Sequence, residues 1–372
     1  MGVNATPVSA GEALEALRLG WSAQKSGALV ASYMLHGRPG VGKTQIVETL
    51  SREIGARLFD LRLTTIEPQD LRGLPYYDHE TKRTKYYPPE DLPDDPNTPS
   101  VLFLDELTAA SPHLQPTVYG LLQERRIGLK ALPASVFIVA AGNTVDDGAI
   151  AYEMGTALSD RLIHLQIAVS AADWIDNYAA PKGLHPAVIA FIKTRADLLE
   201  TTAEAMARGD MIAATPRSWE RVSDILRAAP ERRLRAILIS GVVGEAIAAD
   251  FMIVADDVAA TVQVGEMLRL SRRERIALYP SNMHGLNALI YGLVGALDAA
   301  ATPAAIEILA DLPSLATARP EPDFARLPLS ELRAYGFELL IRKALDLGLG
   351  EAVLASPAYQ AYEAERQAAG LG

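Results

Sequence analysis

The eight residues Gly37-Arg-Pro-Gly-Val-Gly-Lys-Thr44 constrain this chain more than any other stretch. They follow G-x-x-x-x-G-K-[ST], a spacing in which glycines let the backbone curl until successive N–H groups converge on phosphate oxygens. Such a loop works between a buried strand and a helix, because the helix must point its positive end at the same anion. Both flanks read that way. Residues 28–35 are a short apolar run suited to a strand buried on both faces. Residues 42–54 set Ile46, Val47 and Leu50 at helical spacing and stop before Gly55. The candidate nucleotide contacts are therefore Gly37, Arg38, Pro39, Gly40, Val41, Gly42, Lys43, Thr44 and Gln45. Lys43 brings a point charge to the outer phosphates, and Thr44 an oxygen for Mg²⁺.

Further strands are predicted at 57–63, 101–104, 135–141 and 163–169, and helices at 11–27 and 112–124. Strands alternating with helices imply βαβ units and a mainly parallel sheet, here of five strands flanked by helices. Residues 67–100, rich in Pro, Asp, Tyr and Gly, read as a loop-dominated insertion. After about residue 170 the strand signals fade and Ala- and Leu-rich helical periodicity takes over. The predicted order is an α/β nucleotide-binding core over 1–175, an all-helical lid over 176–255 and a C-terminal helical extension over 256–372.

Four more positions carry chemistry. Val101-Leu-Phe-Leu-Asp105-Glu106 ends a buried strand in two carboxylates, at the edge where ligands bind in open α/β sheets. Asp105 would hold Mg²⁺ through water, and Glu106 would draw a proton from the water attacking the γ-phosphate. Asn143 lies just past the 135–141 strand, where its amide would reach the γ-phosphate without adding charge. Arg161, ahead of the 163–169 strand, could reach the nucleotide of another subunit and stabilise charge on the transferring phosphoryl group. Arg217 follows a predicted N-cap, Thr215, and a first helical residue, Pro216. A cation there opposes the helix dipole, and a nearby phosphate would relieve the conflict.

In this order the residues resemble an AAA+ ATPase, with Gly37 to Thr44 as Walker A, Val101 to Glu106 as Walker B, Asn143 as sensor 1, Arg161 as arginine finger and Arg217 as sensor 2. The finer resemblance is to the MoxR family, carried by Asp70-Leu-Arg-Gly-Leu-Pro75, Leu102 to Leu107, Ala140-Ala-Gly-Asn143, Leu158 to Leu162 and Thr215-Pro-Arg-Ser-Trp219. It spans about residues 11–255 and thins beyond. The resemblance implies a hexameric ring that binds ATP and Mg²⁺ and spends hydrolysis on remodelling a protein client. It also implies a separate partner with a von Willebrand A-type domain. One departure is Leu162, where the family often has an aromatic residue after the finger.

Composition bounds the alternatives. Lys plus Arg is 35 against 46 Asp plus Glu, a net charge of −11, which disfavours a general polyanion binder. With no Cys, thiolate chemistry is excluded. No stretch reads as a membrane span or secretory signal, so a cytoplasmic protein is expected. A P-loop kinase and a nucleic-acid-stimulated AAA+ motor are the competing functions. Arg125 and Arg126 read as a helix C-terminal cap or a second contact to a neighbour's phosphates. Tyr76, Tyr77, Tyr86 and Tyr87 read as a client-gripping loop or a hairpin with packed rings.

Overall fold

The computed structural model describes residues 3–128, 130–143, 159–319 and 321–370. It divides into two compact units, Met1–Ser170 and Ala171–Gly372.

The first unit is built on a six-stranded parallel sheet of order β1-β10-β2-β9-β6-β3. Its strands are β1 (Pro7–Val8), β2 (Ser32–His36), β3 (Arg57–Arg62), β6 (Ser100–Asp105), β9 (Val136–Gly142) and β10 (Leu162–Ile167). Five are the predicted strands, and the sixth, β1, corrects the expected count. It pairs Pro7 with Gln166 and Val8 with Ile167, and two residues are too few to leave a periodic signal. β2 starts at Ser32 rather than at residue 28, because Leu29 and Val30 are exposed on the connection before it.

Alternation along the strands sorts the core into two layers. Tyr33, Leu35, Val101, Phe103, Phe137 and Val139 pack with α1 (Ala10–Lys25) and α2 (Lys43–Glu53). Met34, Leu102, Leu104, Ile138 and Ala140 pack with residues 110–122, which include α4 (Gln115–Tyr119). Burial on both faces explains why the central strands are apolar without interruption. Edge strand β3 differs: Phe59 and Leu61 turn inward while Arg57, Asp60 and Arg62 are exposed. Ser9 and Glu12 form a reciprocal capping box that starts α1. The predicted 112–124 helix is α4 followed by a π-helical turn, Gly120–Glu124.

The insertion is more ordered than expected. It holds α3 (Pro68–Arg72) and an antiparallel hairpin of β4 (Leu74–Asp78) and β5 (Arg83–Tyr87). The Tyr76 and Tyr87 rings stack at 4.3 Å, and Lys85 pairs with Asp78. A second, short hairpin joins β7 (Arg126–Ile127) to β8 (Lys130–Ala131). Between them and α4, Arg125 adopts φ 53° and turns its guanidinium inward onto the Val136 carbonyl at the start of β9. That group therefore braces the sheet at the end away from the phosphate loop.

The second unit is helical. Trp219, Phe191 and Phe251, from three helices, pack with ring centroids 5.4–5.5 Å apart. Further along, buried Arg275 is balanced by Glu307 at 2.6 Å and Asp311 at 3.4 Å, and Asp311 also takes Arg272 at 2.7 Å. Residues 176–255 and 256–372 lie in this one unit, and helix Glu245–Thr261 runs through the expected boundary between them. No helix of the described residues is long and apolar enough to cross a membrane.

Candidate functional site

The phosphate loop leaves β2, the strand between β10 and β9. Gly40 (φ 83°) and Gly42 (φ 100°) hold left-handed conformations that a side chain would strain. Gly42 is also the N-cap of α2, so no side chain covers the first amides of that helix. Those amides and the helix dipole converge where a phosphate would lie. The Lys43 ammonium curls back over the loop and donates to the carbonyls of Gly37 (2.5 Å) and Arg38 (3.0 Å) and to Oδ1 of Asn143 (2.9 Å). Two residues a hundred positions apart thus meet, because β2 and β9 are neighbours in register, with His36 opposite Gly142.

Gly142 makes that meeting possible. A Cβ there would lie 2.6 Å from the Thr108 Oγ1 and 2.9 Å from the Met34 Cε. The absence of a side chain lets β9 end tight against the turn after β6 and deliver Asn143 to the loop.

The carboxylates stand at the end of β6, on the other side of β9. Glu106 has φ 59°, a strained conformation for a residue with a side chain, and it caps a 3₁₀ turn, Leu107–Ala109. Its amide donates to Asp105 Oδ1 at 2.8 Å. Its carboxylate accepts from the Thr64 hydroxyl and lies 3.9 Å from the Arg62 Nε. Asp60 on β3 responds to the same negative charge: partial loss of water, then the Asp105 carboxylate, push its carboxyl above the ordinary range, while Arg62 opposes the shift. The Thr44 hydroxyl and the Asp105 carboxylate are hard oxygen donors of the kind that suit Mg²⁺.

Phosphate loop, Asn143, Asp105 and Glu106 therefore sit at the carboxyl ends of three adjacent strands. Arg161 is exposed immediately before β10, on the other flank of β2. Leu158, within the motif that carries Arg161, lies outside the described residues.

Arg217 belongs to the second unit. Thr215 caps helix Pro216–Ala228 through Ser218 N (3.1 Å), and Pro216, Ser218 and Trp219 are buried. The Trp219 Nε1 donates to Leu198 O at 2.8 Å. Within Thr215-Pro-Arg-Ser-Trp219, only Arg217 is exposed, so the motif is a set of anchors presenting one guanidinium.

Two contacts were not read from the sequence. Thr64, beyond β3, reaches Glu106, and His36 pairs with His164 across β2 and β10. The first needs the parallel β3–β6 register, which sets Arg62 opposite Asp105.

Residues 32–162 match the family model of the AAA domain, dynein-related subfamily. Within the first unit, residues 32–162 are thus similar to an AAA domain. The uncharacterized protein YeaC of Bacillus subtilis is 27% identical over 118 residues, 30% of this chain and 35% of that protein. The chain thus spans about a third of that relative's length. Solved structures with similarity include a candidate ATPase from Cytophaga hutchinsonii, at 14% identity and TM-score 0.34, covering 78% of this chain and 76% of the other. A RuvB variant from Thermotoga maritima matches at 15% identity and TM-score 0.37, covering 75% and 80%.

Proposed function

We propose that the chain is a MoxR-like AAA+ ring ATPase that couples Mg-ATP hydrolysis to remodelling of a protein client, with a von Willebrand A-domain protein as partner. The observation that carries the ATPase chemistry is the meeting of Lys43, from the phosphate loop, with Asn143 at 2.9 Å, beside the strand that ends in Asp105 and Glu106. Lys43 and the loop amides bind the outer phosphates. Thr44 and Asp105 would hold Mg²⁺, which offsets phosphate charge when bound. Glu106, oriented by Thr64 and Arg62, accepts the proton of the attacking water, and Asn143 orients that water. Arg161 acts on the nucleotide of the adjoining subunit, which makes a ring the working form, a hexamer by family likeness. Arg217 is the sensor on the helical unit. The MoxR likeness of the motifs supports the client and the partner, and a cytoplasmic setting goes with them.

The test is Glu106→Gln. It is expected to bind ATP with near-normal affinity and to hydrolyse it about 10²–10⁴-fold more slowly. Normal turnover would remove Glu106 as the base. Co-purification of a von Willebrand A-domain protein with the Glu106→Gln chain in ATP, and its loss without nucleotide, tests the partner.

A further inference from the structure

His36 and His164 lie on neighbouring strands β2 and β10, on one face of the sheet, with rings stacked at 5.0 Å between centroids. The His36 Nε2 is 2.7 Å from the His164 Nδ1. The other nitrogen of His164, Nε2, is 2.9 Å from the carbonyl oxygen of Ser159 and 3.0 Å from its hydroxyl.

The proton positions follow from the partners. A carbonyl oxygen only accepts, so the His164 Nε2 carries hydrogen. In the neutral ring, Nδ1 is then an acceptor, and His36 must donate to it from Nε2. The chain of donors therefore runs in one direction, from His36 through His164 to Ser159. Two apolar side chains could fill this place at a smaller desolvation cost. What the histidines add is a fixed direction and a grip on one carbonyl.

Ser159 lies two residues before Arg161. On the far side of Arg161, Leu162 is buried and paired with Ser32 in the sheet. Asp160 and Arg161 are thus an exposed two-residue span between two anchors, one made by β10 and the other by His164. We propose that His164 is a positioning residue for the arginine finger: held by His36 at the root of the phosphate loop, it pins Ser159 and so fixes where Arg161 is presented to the adjoining subunit. The proposal rests on the reading of Arg161 as a finger acting in trans.

The test separates a subunit that lends the finger from one that lends the site. Arg161→Ala chains keep a nucleotide site and lack a finger; Lys43→Ala chains keep the finger and lack a working site. Mixed rings are expected to recover ATP hydrolysis, and no recovery at any ratio overturns the finger and this proposal together. His164→Asn keeps an acceptor near Nδ1 but no longer reaches Ser159, whereas His164→Gln places an amide N–H near Nε2. A misplaced catalytic group costs on the order of 10²-fold. On the Lys43→Ala chain, His164→Asn should lower the recovered rate at least about tenfold, while His164→Gln stays within about threefold. The same His164→Asn change on the Arg161→Ala chain should leave it within about twofold. With recovery established in the parent mixture, an equal fall in both placements, or no fall on the finger-lending chain, overturns the positioning role alone. Should His164→Asn not fold, His36→Leu and His36→Gln on the Lys43→Ala chain read the same contact from its other end. Leu should then lose the recovery and Gln keep it, and equal behaviour of the two overturns the proposal.

Discussion

Replacing Asn143 by Ala should pull binding and turnover in opposite directions. Asn143 is one of the acceptors that hold the Lys43 ammonium against its own loop. A hydrogen bond to a charged group contributes about 1.5–3 kcal/mol when well buried. Here both side chains are half-buried and Lys43 keeps the carbonyls of Gly37 and Arg38, so about 1 kcal/mol is the fitting magnitude. If phosphate takes the ammonium from Asn143, Asn143→Ala destabilises the empty site by that amount and tightens ATP binding about fivefold. Hydrolysis should fall about 10²-fold, as when one oriented polar group is lost from a transition state. Titration calorimetry with a non-hydrolysable ATP analogue reads the first effect, and single-turnover phosphate release reads the second. Weaker binding together with unchanged turnover would show that Asn143 neither restrains Lys43 nor serves the reaction.

Gly142→Ala should destabilise the first unit by about 1–3 kcal/mol, because its Cβ meets Thr108 and Met34 below 3 Å. Thermal melts of this variant and of Gly142→Ala with Thr108→Ala should show part of the loss restored in the pair. His185, the N-cap of helix Pro186–Thr194, is pushed down to about 4 by burial, with Arg227 and Arg235 adding to the effect. Its folded value lies below its unfolded one, so the unfolded chain binds more protons between about pH 6.5 and 4, and stability falls as pH drops through that window. The fall should be on the order of 2–3 kcal/mol for the helical unit. Chemical denaturation at pH 7 and pH 5 checks the direction, and His185→Asn should flatten it while keeping a capping acceptor.

The phosphate loop, the carboxylate pair and Asn143 were legible because each follows a strand whose residues are apolar on both faces, a local and uninterrupted signal. Their meeting was legible only as far as a parallel sheet was. Strand β1 left no trace, since Pro7 and Val8 take their structure from β10 rather than from their own pattern. The apolar run 28–35 overstated β2, because hydrophobicity alone does not say that Leu29 and Val30 stay in water. The hairpin at 74–87 was one of two readings of its tyrosines, left open because strands this exposed carry no buried face to decide it. His164 and Thr64 are ordinary residues in isolation. They gain meaning only from neighbours 128 and 42 positions away, fixed by strand register.

The outer rims of the sheet limit how copies of this chain can associate. One rim is the two-residue β1, and the other is β3, whose outward positions Arg57, Asp60 and Arg62 fringe it with charge. Neither offers a foreign strand a long apolar ladder to join. In the ring proposed above, protomers would then meet through side chains and loops rather than through backbone hydrogen bonds along this sheet. Such a joint can slide or tilt without tearing main-chain pairing, which is what a machine that cycles between nucleotide states would need.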